Sequence, residues 1–308
     1  MLIPAAIEPT SIAAIDEKRS CRLKSAKCCT LKPPMTNNCD TLLIGRSYGA
    51  AAVGFYSRGA ALVIRPLQQL LLPISAVLVP ALSRLQSQPA KYRSTFMRVY
   101  EAMTLVTFFS TSMLLPLSHP ITLVLLGHKW ENASAIFAGF TAFAICLPLG
   151  NVTNWLFTSQ GRGKDLFIQS LISAFISLAS FVAGLPFGPV GVAMAFSLST
   201  LLLRLPILYY NAGRQGPVNT KDLWTGFLSN LPLWLVVFAV TWYAHQWAAV
   251  ARPSVQLLIC LPVGAAVGIA FISFFKPQRR VAFYLLDIFR ELRTNGQNKS
   301  RCIKGSDR

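Results

Sequence analysis

The feature that most constrains this chain is a succession of long apolar stretches almost free of charge. A helix crosses a bilayer with about 20 mostly apolar residues. Seven segments reach or approach that length: 59–83, 102–117, 133–157, 166–185, 191–210, 223–247 and 255–275. The second is the shortest, and 121–126 extends it past a break at Pro116 and Pro120. An eighth patch, 41–53, is interrupted by Gly45 and Arg46 and is too short to cross alone. Composition agrees with this pattern. Of 308 residues, 53% are hydrophobic and 13% charged, and the mean hydropathy is +0.49, whereas a soluble domain carries about 25% charged residues. An ordinary soluble enzyme and a disordered chain are both excluded. The expectation is an all-α integral membrane protein, a bundle of about seven transmembrane helices.

The net charge of +18 comes from 29 Lys and Arg against 11 Asp and Glu. Basic domains often bind phosphate backbones, but these cations gather in loops beside apolar segments, so no nucleic-acid partner is expected. Arg84, Lys91, Arg93 and Arg98 follow the first segment, and only Lys129 follows the second. Arg162 and Lys164 follow the third, and 186–190 has no charge. Arg214 and Lys221 follow the fifth, Arg252 the sixth, and nine Lys or Arg the seventh. Rich and poor loops alternate, which predicts that the rich side and the C-terminal tail are cytoplasmic. Seven crossings then leave 1–58 outside, although Lys18, Arg19, Arg22, Lys24, Lys27 and Lys32 make that stretch basic. A missing crossing would resolve the parity, and 40–53 reads as the end of such a helix. The expectation is a truncated or frame-shifted version of a longer protein. Residues 279–293 suit a helix lying on an anionic leaflet, while 295–308 are polar and read as disordered.

Catalytic constellations are lacking. The seven cysteines show neither a disulfide framework nor zinc spacing and read as free thiols. No signal peptide is visible in 1–15. His119, His128 and His245 have no partner at helical ligand spacing, and no metal or cofactor is expected. Gly161-Arg162-Gly163-Lys164 resembles the end of a phosphate loop, but Thr158 replaces its first glycine and Asp165 its Ser or Thr. Asn132 and Asn151 begin glycosylation-type triplets, discounted because the second lies inside a crossing segment. Polar residues at membrane depth remain. Arg65 lies about six residues into the first segment, with Gln68 and Gln69 a turn further on and Arg58 at its entrance. Arg204 lies deep in the fifth segment. A charged side chain at such depth costs about 2.5 kcal/mol or more and usually faces a watery cavity or a partner. Guanidinium geometry suits a bidentate phosphate; for Arg204, snorkelling to the interface is an equal alternative. Asn151 and Asn154 are expected to bond neighbouring helices. Pro66, Pro73 and Pro80 recur every seven residues on one face, and Gly184/Gly188 and Gly264/Gly268 have the spacing that permits close helix approach.

Several motifs in order carry a family resemblance. They are Asn37-Asn38-Cys39-Asp40-Thr41-Leu42-Leu43-Ile44-Gly45-Arg46, then Gly54-Phe55-Tyr56-Ser57-Arg58 and Val79-Pro80-Ala81-Leu82-Ser83-Arg84-Leu85-Gln86. Leu125-Leu126-Gly127-His128-Lys129-Trp130, Gly161-Arg162 and Gly184-Leu185-Pro186-Phe187-Gly188-Pro189-Val190-Gly191-Val192-Ala193 follow. Together they resemble the lipopolysaccharide and exopolysaccharide flippases of the MOP superfamily, over 37–275 and mainly the C-terminal lobe. The resemblance implies helical lobes, a cationic cavity for a pyrophosphate, an ion-driven cycle, and passage of a polyprenyl-pyrophosphate-linked oligosaccharide across a bacterial inner membrane. Arg65 and Arg58 are compatible with that cavity, and with Gln68, Gln69 and Arg204, chosen for their depth in the apolar segments, they are the candidate substrate-binding residues. It also implies the lipid bilayer, a polysaccharide polymerase and other export components as partners. Residues 1–36 resemble nothing in that family, and 276–308 form a basic tail. Family members have about twelve or more crossings, so a chain matching one lobe holds half of the cavity. The alternatives are an integral-membrane acyl- or glycosyltransferase of the same pathway, for which Asp40, Glu101, Asp165 and Asp222 are the available acids, and an inactive remnant. A drug/cation antiporter of the same superfamily would be expected to bury acids in its crossings, and none is seen.

Overall fold

Proline and glycine decide where the apolar segments start, bend and turn. The computed structural model describes residues 39–248, 250, 252–275, 278, 279 and 281. The expectations for 1–36 and for the tail beyond Val281 lie outside these residues. From Asp40 onward the described chain forms one compact unit, and its regular secondary structure is entirely helical.

Helix α1 spans Cys39–Arg84, 46 residues, or about 69 Å at 1.5 Å per residue, against a hydrocarbon core of about 30 Å. The patch at 41–53, expected to stand apart, is the first part of this helix. Its break falls at Gly49, with φ 80° and ψ 176°, a region where a side chain would be strained. The crossing does not begin at Gly59. That glycine sits inside the helix because a Cβ there would lie 3.0 Å from the Ala133 carbonyl oxygen. Pro66, Pro73 and Pro80 also lie inside α1, all on its exposed side. Each lacks the N–H that would bond the carbonyl four residues earlier, those of Leu62, Gln69 and Ala76.

Helix α2 (Pro89–Leu114) opens on a proline, whose fixed φ suits the first turn. Helix α3 (Ser118–Leu126) follows at an 80° bend. The expected extension through 121–126 is thus a separate helix, reached through this bend. Pro116 has no N–H for the Ser112 carbonyl, so the ladder loses one rung there. Helix α4 (Ala133–Ser159) is central, with more of its apolar length buried than in any other continuous crossing, whereas α1 is mostly exposed. Helix α5 (Gly163–Gly184) reaches a 3₁₀ turn at Leu185–Phe187, and α6 (Gly188–Ser199), a π-helical turn (Thr200–Arg204) and α7 (Leu205–Gly213) run back. The return is fixed at both ends. The Asn211 amide donates to Gln169 Oε1 at 2.9 Å, and a Cβ on Gly184 would stand 2.7 Å from Val192 Cα. Helices α8 (Thr220–Leu228), α9 (Leu231–Trp247) and α10 (Pro253–Phe274) complete the bundle.

By length and composition, five continuous helical stretches can cross a membrane, or six with the bent α2–α3 pair. One of them, Gly163–Gly213, is the hairpin just described and holds two legs. All seven apolar segments are thus helical legs, and the chain is a multi-pass membrane protein.

The two largest cores sit at opposite ends. Ile44, Tyr56 and Val63 of α1 pack with Phe137 and Phe140 of α4 and Val192 of α6 at the end holding the uncharged turn. Leu78 and Leu82 of α1 pack with Phe96 and Tyr100 of α2, Leu156 of α4 and Tyr209 of α7 at the basic end. Lipid tails are as apolar as these side chains, so close packing and internal hydrogen bonds hold such helices together. The close approach expected of Gly264 and Gly268 is present: they admit Met113 with Thr241, and the Phe109 ring, respectively. The other glycine pair acts differently. Gly184 faces the returning helix, while Gly188 takes φ 78° in the turn itself.

Candidate functional site

Residues seven, three and four apart share a helix face, and α1 places Arg58, Arg65, Gln68 and Gln69 together on its exposed side. Tyr56, Gly59, Val63 and Leu71 occupy the buried side. The Arg58 guanidinium lies over the Trp130 ring, 5.7 Å from its centroid, and Trp130 meets Phe55 edge-on. Arg58 thus stands level with the connection between α3 and α4. Arg65, seven residues along, lies about 10 Å deeper. Among the described residues no hydrogen bond or ion pair engages Arg65, Gln68 or Gln69. The carbonyls released by the three prolines lie along the same helix, so a polar stripe runs down α1 at membrane depth. Arg204 is not part of it. It closes the π-helical turn on another leg, half-buried.

The acids near the membrane faces are mostly occupied. Asp40 accepts from the Tyr56 hydroxyl at 3.0 Å. Asp222 accepts two guanidinium N–H groups of Arg93, at 2.8 Å and 3.1 Å, and also the Asn219 backbone N–H that opens α8. Asp165 takes the Arg162 Nε–H at 2.7 Å. Glu101 is the exception, half-buried and without a partner among the described residues. No group of three metal-ligand side chains occurs among them.

Arg162 explains the phosphate-loop look-alike. Its guanidinium donates to the carbonyls of Asn211 (3.1 Å) and Gln215 (2.5 Å) and stacks 5.0 Å over Phe157. The Asn211 carbonyl belongs to the last turn of α7, where a helix leaves acceptors unpaired and carries partial negative charge, and Gln215 lies just beyond that helix. The motif is a helix cap supplied from the α4–α5 turn. A second buried lock lies beside it. The Tyr100 hydroxyl donates to the Leu223 carbonyl (2.9 Å), which leaves Tyr209 to donate to Tyr100 (2.6 Å). Asn151, expected to bond a neighbouring helix, donates instead to Leu147 of its own helix at 2.8 Å.

Two cavities open between the helices. One, of about 600 Å³, lies at the basic end among Arg93, Glu101, Asp222, Asn230 and Gln278. The other, of about 480 Å³, is almost wholly apolar and lies among Phe108, Ile145, Leu202, Pro206 and Trp234, beside the π-helical turn. None of the five residues singled out from the sequence lines either. The sequence carried a weak sign of the first cavity: Glu101 is the last charge before an apolar run. Asn230 and Gln278 gave none.

Comparison with known proteins bears on what such a bundle serves. Residues 28–135 match a family model described as polysaccharide biosynthesis protein. The chain is 23% identical over 211 residues to the lipopolysaccharide biosynthesis protein WzxC of Escherichia coli (strain K12), covering 67% of this chain and 43% of that protein. It is 25% identical over 140 residues to the amylovoran biosynthesis protein AmsL of Erwinia amylovora, covering 44% and 35%. The chain thus spans less than half the length of either relative. No solved structure matches it. In sequence, this multi-pass chain resembles proteins of polysaccharide biosynthesis.

Proposed function

We propose that the chain takes part in moving a polyprenyl-pyrophosphate-linked oligosaccharide across the bacterial inner membrane, for lipopolysaccharide, capsule or exopolysaccharide synthesis. It does so without covalent chemistry, as one lobe of a translocation unit over 37–275, with its C-terminus in the cytoplasm. The single observation that carries this reading is the exposed polar stripe of α1. Arg65 carries a full charge at membrane depth, unpaired among the described residues, and that is tolerated where water, substrate or another protein surface meets the helix. A guanidinium offers a planar pair of donors to a phosphate, and Gln68 and Gln69 add amide donors a turn away. Arg58, already stacked on Trp130, would meet the pyrophosphate nearer the surface. Arg204, on another leg, would act separately. Polymerase and export components would be the working partners. The enzyme alternative gains no support from the acids, three of which hold the fold together.

The test is complementation. In a strain lacking its oligosaccharide flippase, the wild-type chain should restore surface polysaccharide, and Arg65→Ala should abolish it at equal membrane abundance. Normal export by Arg65→Ala would remove the α1 stripe from the reading. Absence of export with wild-type protein in the membrane would remove transport by this chain alone.

A further inference from the structure

The cavity at the basic end has a chemistry of its own. Its walls come from the start of α2, from α8 and the link to α9, and from Gln278 and Val281 after α10. Among the described residues its one lining cation, Arg93, is paired with Asp222. Glu101 lies eight residues further along α2, about 12 Å deeper, and is unpaired. The hydroxyls around it have used their protons, and each neighbouring amide has used one of its two N–H groups. The hydroxyls of Ser94, Thr225 and Ser229 donate to the carbonyls of Lys91 (3.0 Å), Lys221 (2.7 Å) and Gly226 (3.1 Å). The amides of Asn230 and Gln278 donate to Gly226 (3.1 Å) and Ser229 (2.9 Å). Gln278 is 5% exposed, yet its Oε1 has no partner among the described residues. An orphaned buried acceptor costs about 1–3 kcal/mol, so a ligand with donors is the natural occupant.

The wall selects the class of that ligand. An anion meets the unpaired carboxylate of Glu101. A neutral polyol would leave the Glu101 charge without a counter-ion. An ammonium brings three donors and no acceptor. Met97, Leu105 and Val281 line the same space, and Leu105 lies one turn inside the apolar run that begins at Ala102. The ligand therefore carries an aliphatic part beside its charge.

We propose that this cavity binds a protonated primary amine on a flexible aliphatic stem, with Glu101 facing the ammonium and Gln278 and Asn230 accepting its N–H groups. That chemistry has two sources: the headgroup of an aminophospholipid in the adjoining leaflet, or a linear polyamine from the aqueous side. The site is separate from the α1 stripe and stands whether or not the transport reading does.

The test uses the full purified chain in lipid nanodiscs. Binding is measured by native mass spectrometry and melting temperature with phosphatidylethanolamine, with phosphatidylcholine, whose trimethylated nitrogen has no N–H, and with spermidine. If the lipid is the source, phosphatidylethanolamine should bind roughly tenfold more tightly than phosphatidylcholine, the scale of one hydrogen-bonded charge contact. If the polyamine is the source, spermidine alone should raise the melting temperature. Glu101→Gln, nearly equal in shape, should erase the preference while melting like wild type without ligand. Gln278→Leu should weaken it with no change of charge. Equal binding of both lipids together with no response to spermidine overturns the proposal on the wild-type chain alone. So does a preference that survives in a folded Glu101→Gln protein.

Discussion

Arg162 illustrates how one side chain can fix a connection that short-range geometry leaves loose. Gly161 takes φ 70° and turns the chain out of α4, and the next residue reaches across to one carbonyl in the last turn of α7 and one just beyond it. Its side chain is 14% exposed, so the charge is held by Asp165, by helix-end carbonyls and by the Phe157 face rather than by bulk water. Hydrogen bonds to a charged group contribute about 1.5–3 kcal/mol. Arg162→Ala is therefore expected to cost about 2 kcal/mol and to lower the melting temperature of the detergent-purified protein. Arg162→Lys should recover little, because an ammonium cannot span the Asp165 carboxylate and two carbonyls as a planar fork does. An unchanged melting temperature in the alanine variant would show that the cap is ornamental. The sequence displayed this arginine in a glycine frame, which invited a nucleotide reading. What the sequence could not display was the partner, because the accepting carbonyls lie about fifty residues away.

At the scale of elements, small residues set how the helices meet, and neighbouring glycines do different work. Gly184 sits where α5 meets the returning α6: a Cβ there would stand 2.7 Å from Val192 Cα and 2.8 Å from the Gly191 carbonyl oxygen. Both obstacles are backbone, which cannot rotate away. Gly150, inside α4, has nothing nearer than Leu208 Cδ2 at 3.8 Å, an ordinary contact. Gly184→Ala should therefore destabilise by about 1–3 kcal/mol through overpacking. Gly150→Ala should leave stability unchanged or raise it by up to about 1 kcal/mol, the helical preference of alanine over glycine. Thermal unfolding of the two variants side by side checks the pair, and equal losses would refute the assigned close approach. Proline spacing was less legible. The repeat at Pro66, Pro73 and Pro80 put three breakers on one face, yet α1 runs through all of them and departs from helical dihedrals at Gly49 instead. A membrane helix tolerates such prolines because water, side chains or neighbouring helices can serve the freed carbonyls.

For the whole molecule, the apolar segments were readable because a bilayer imposes one length and one periodicity on every crossing. Each of the seven became a helical leg. Their ends were less readable, because hydropathy is blind to tertiary turns: it could not foresee that α3 swings away by 80°, or that α1 begins twenty residues before its apolar run. The polar stripe of α1 was visible as single residues, and helical spacing gathered four of them; Arg204 fell away because its depth on one leg says nothing about its distance from another. The cavity at the basic end stayed hidden, since its wall joins residues from three separated parts of the chain. Orientation is the property that the charge pattern addresses most directly. Arg84, Arg93 and Lys221 mark one end of the bundle, and the turn at Leu185–Phe187 marks the other, with the α5 and α6 legs running between them. Lys and Arg in short loops are retained in the cytoplasm during insertion. Cysteines introduced at Ser87 and at Phe187 into a variant lacking the native thiols should therefore react from opposite sides of intact cells. The first should need a membrane-permeant maleimide, and the second should react with an impermeant one. Labelling of both by the impermeant reagent would contradict the three legs between these loops and the positive-inside orientation together. Reversed labelling would keep the legs and turn the molecule over, placing the exposed stripe of α1 the other way up in the membrane.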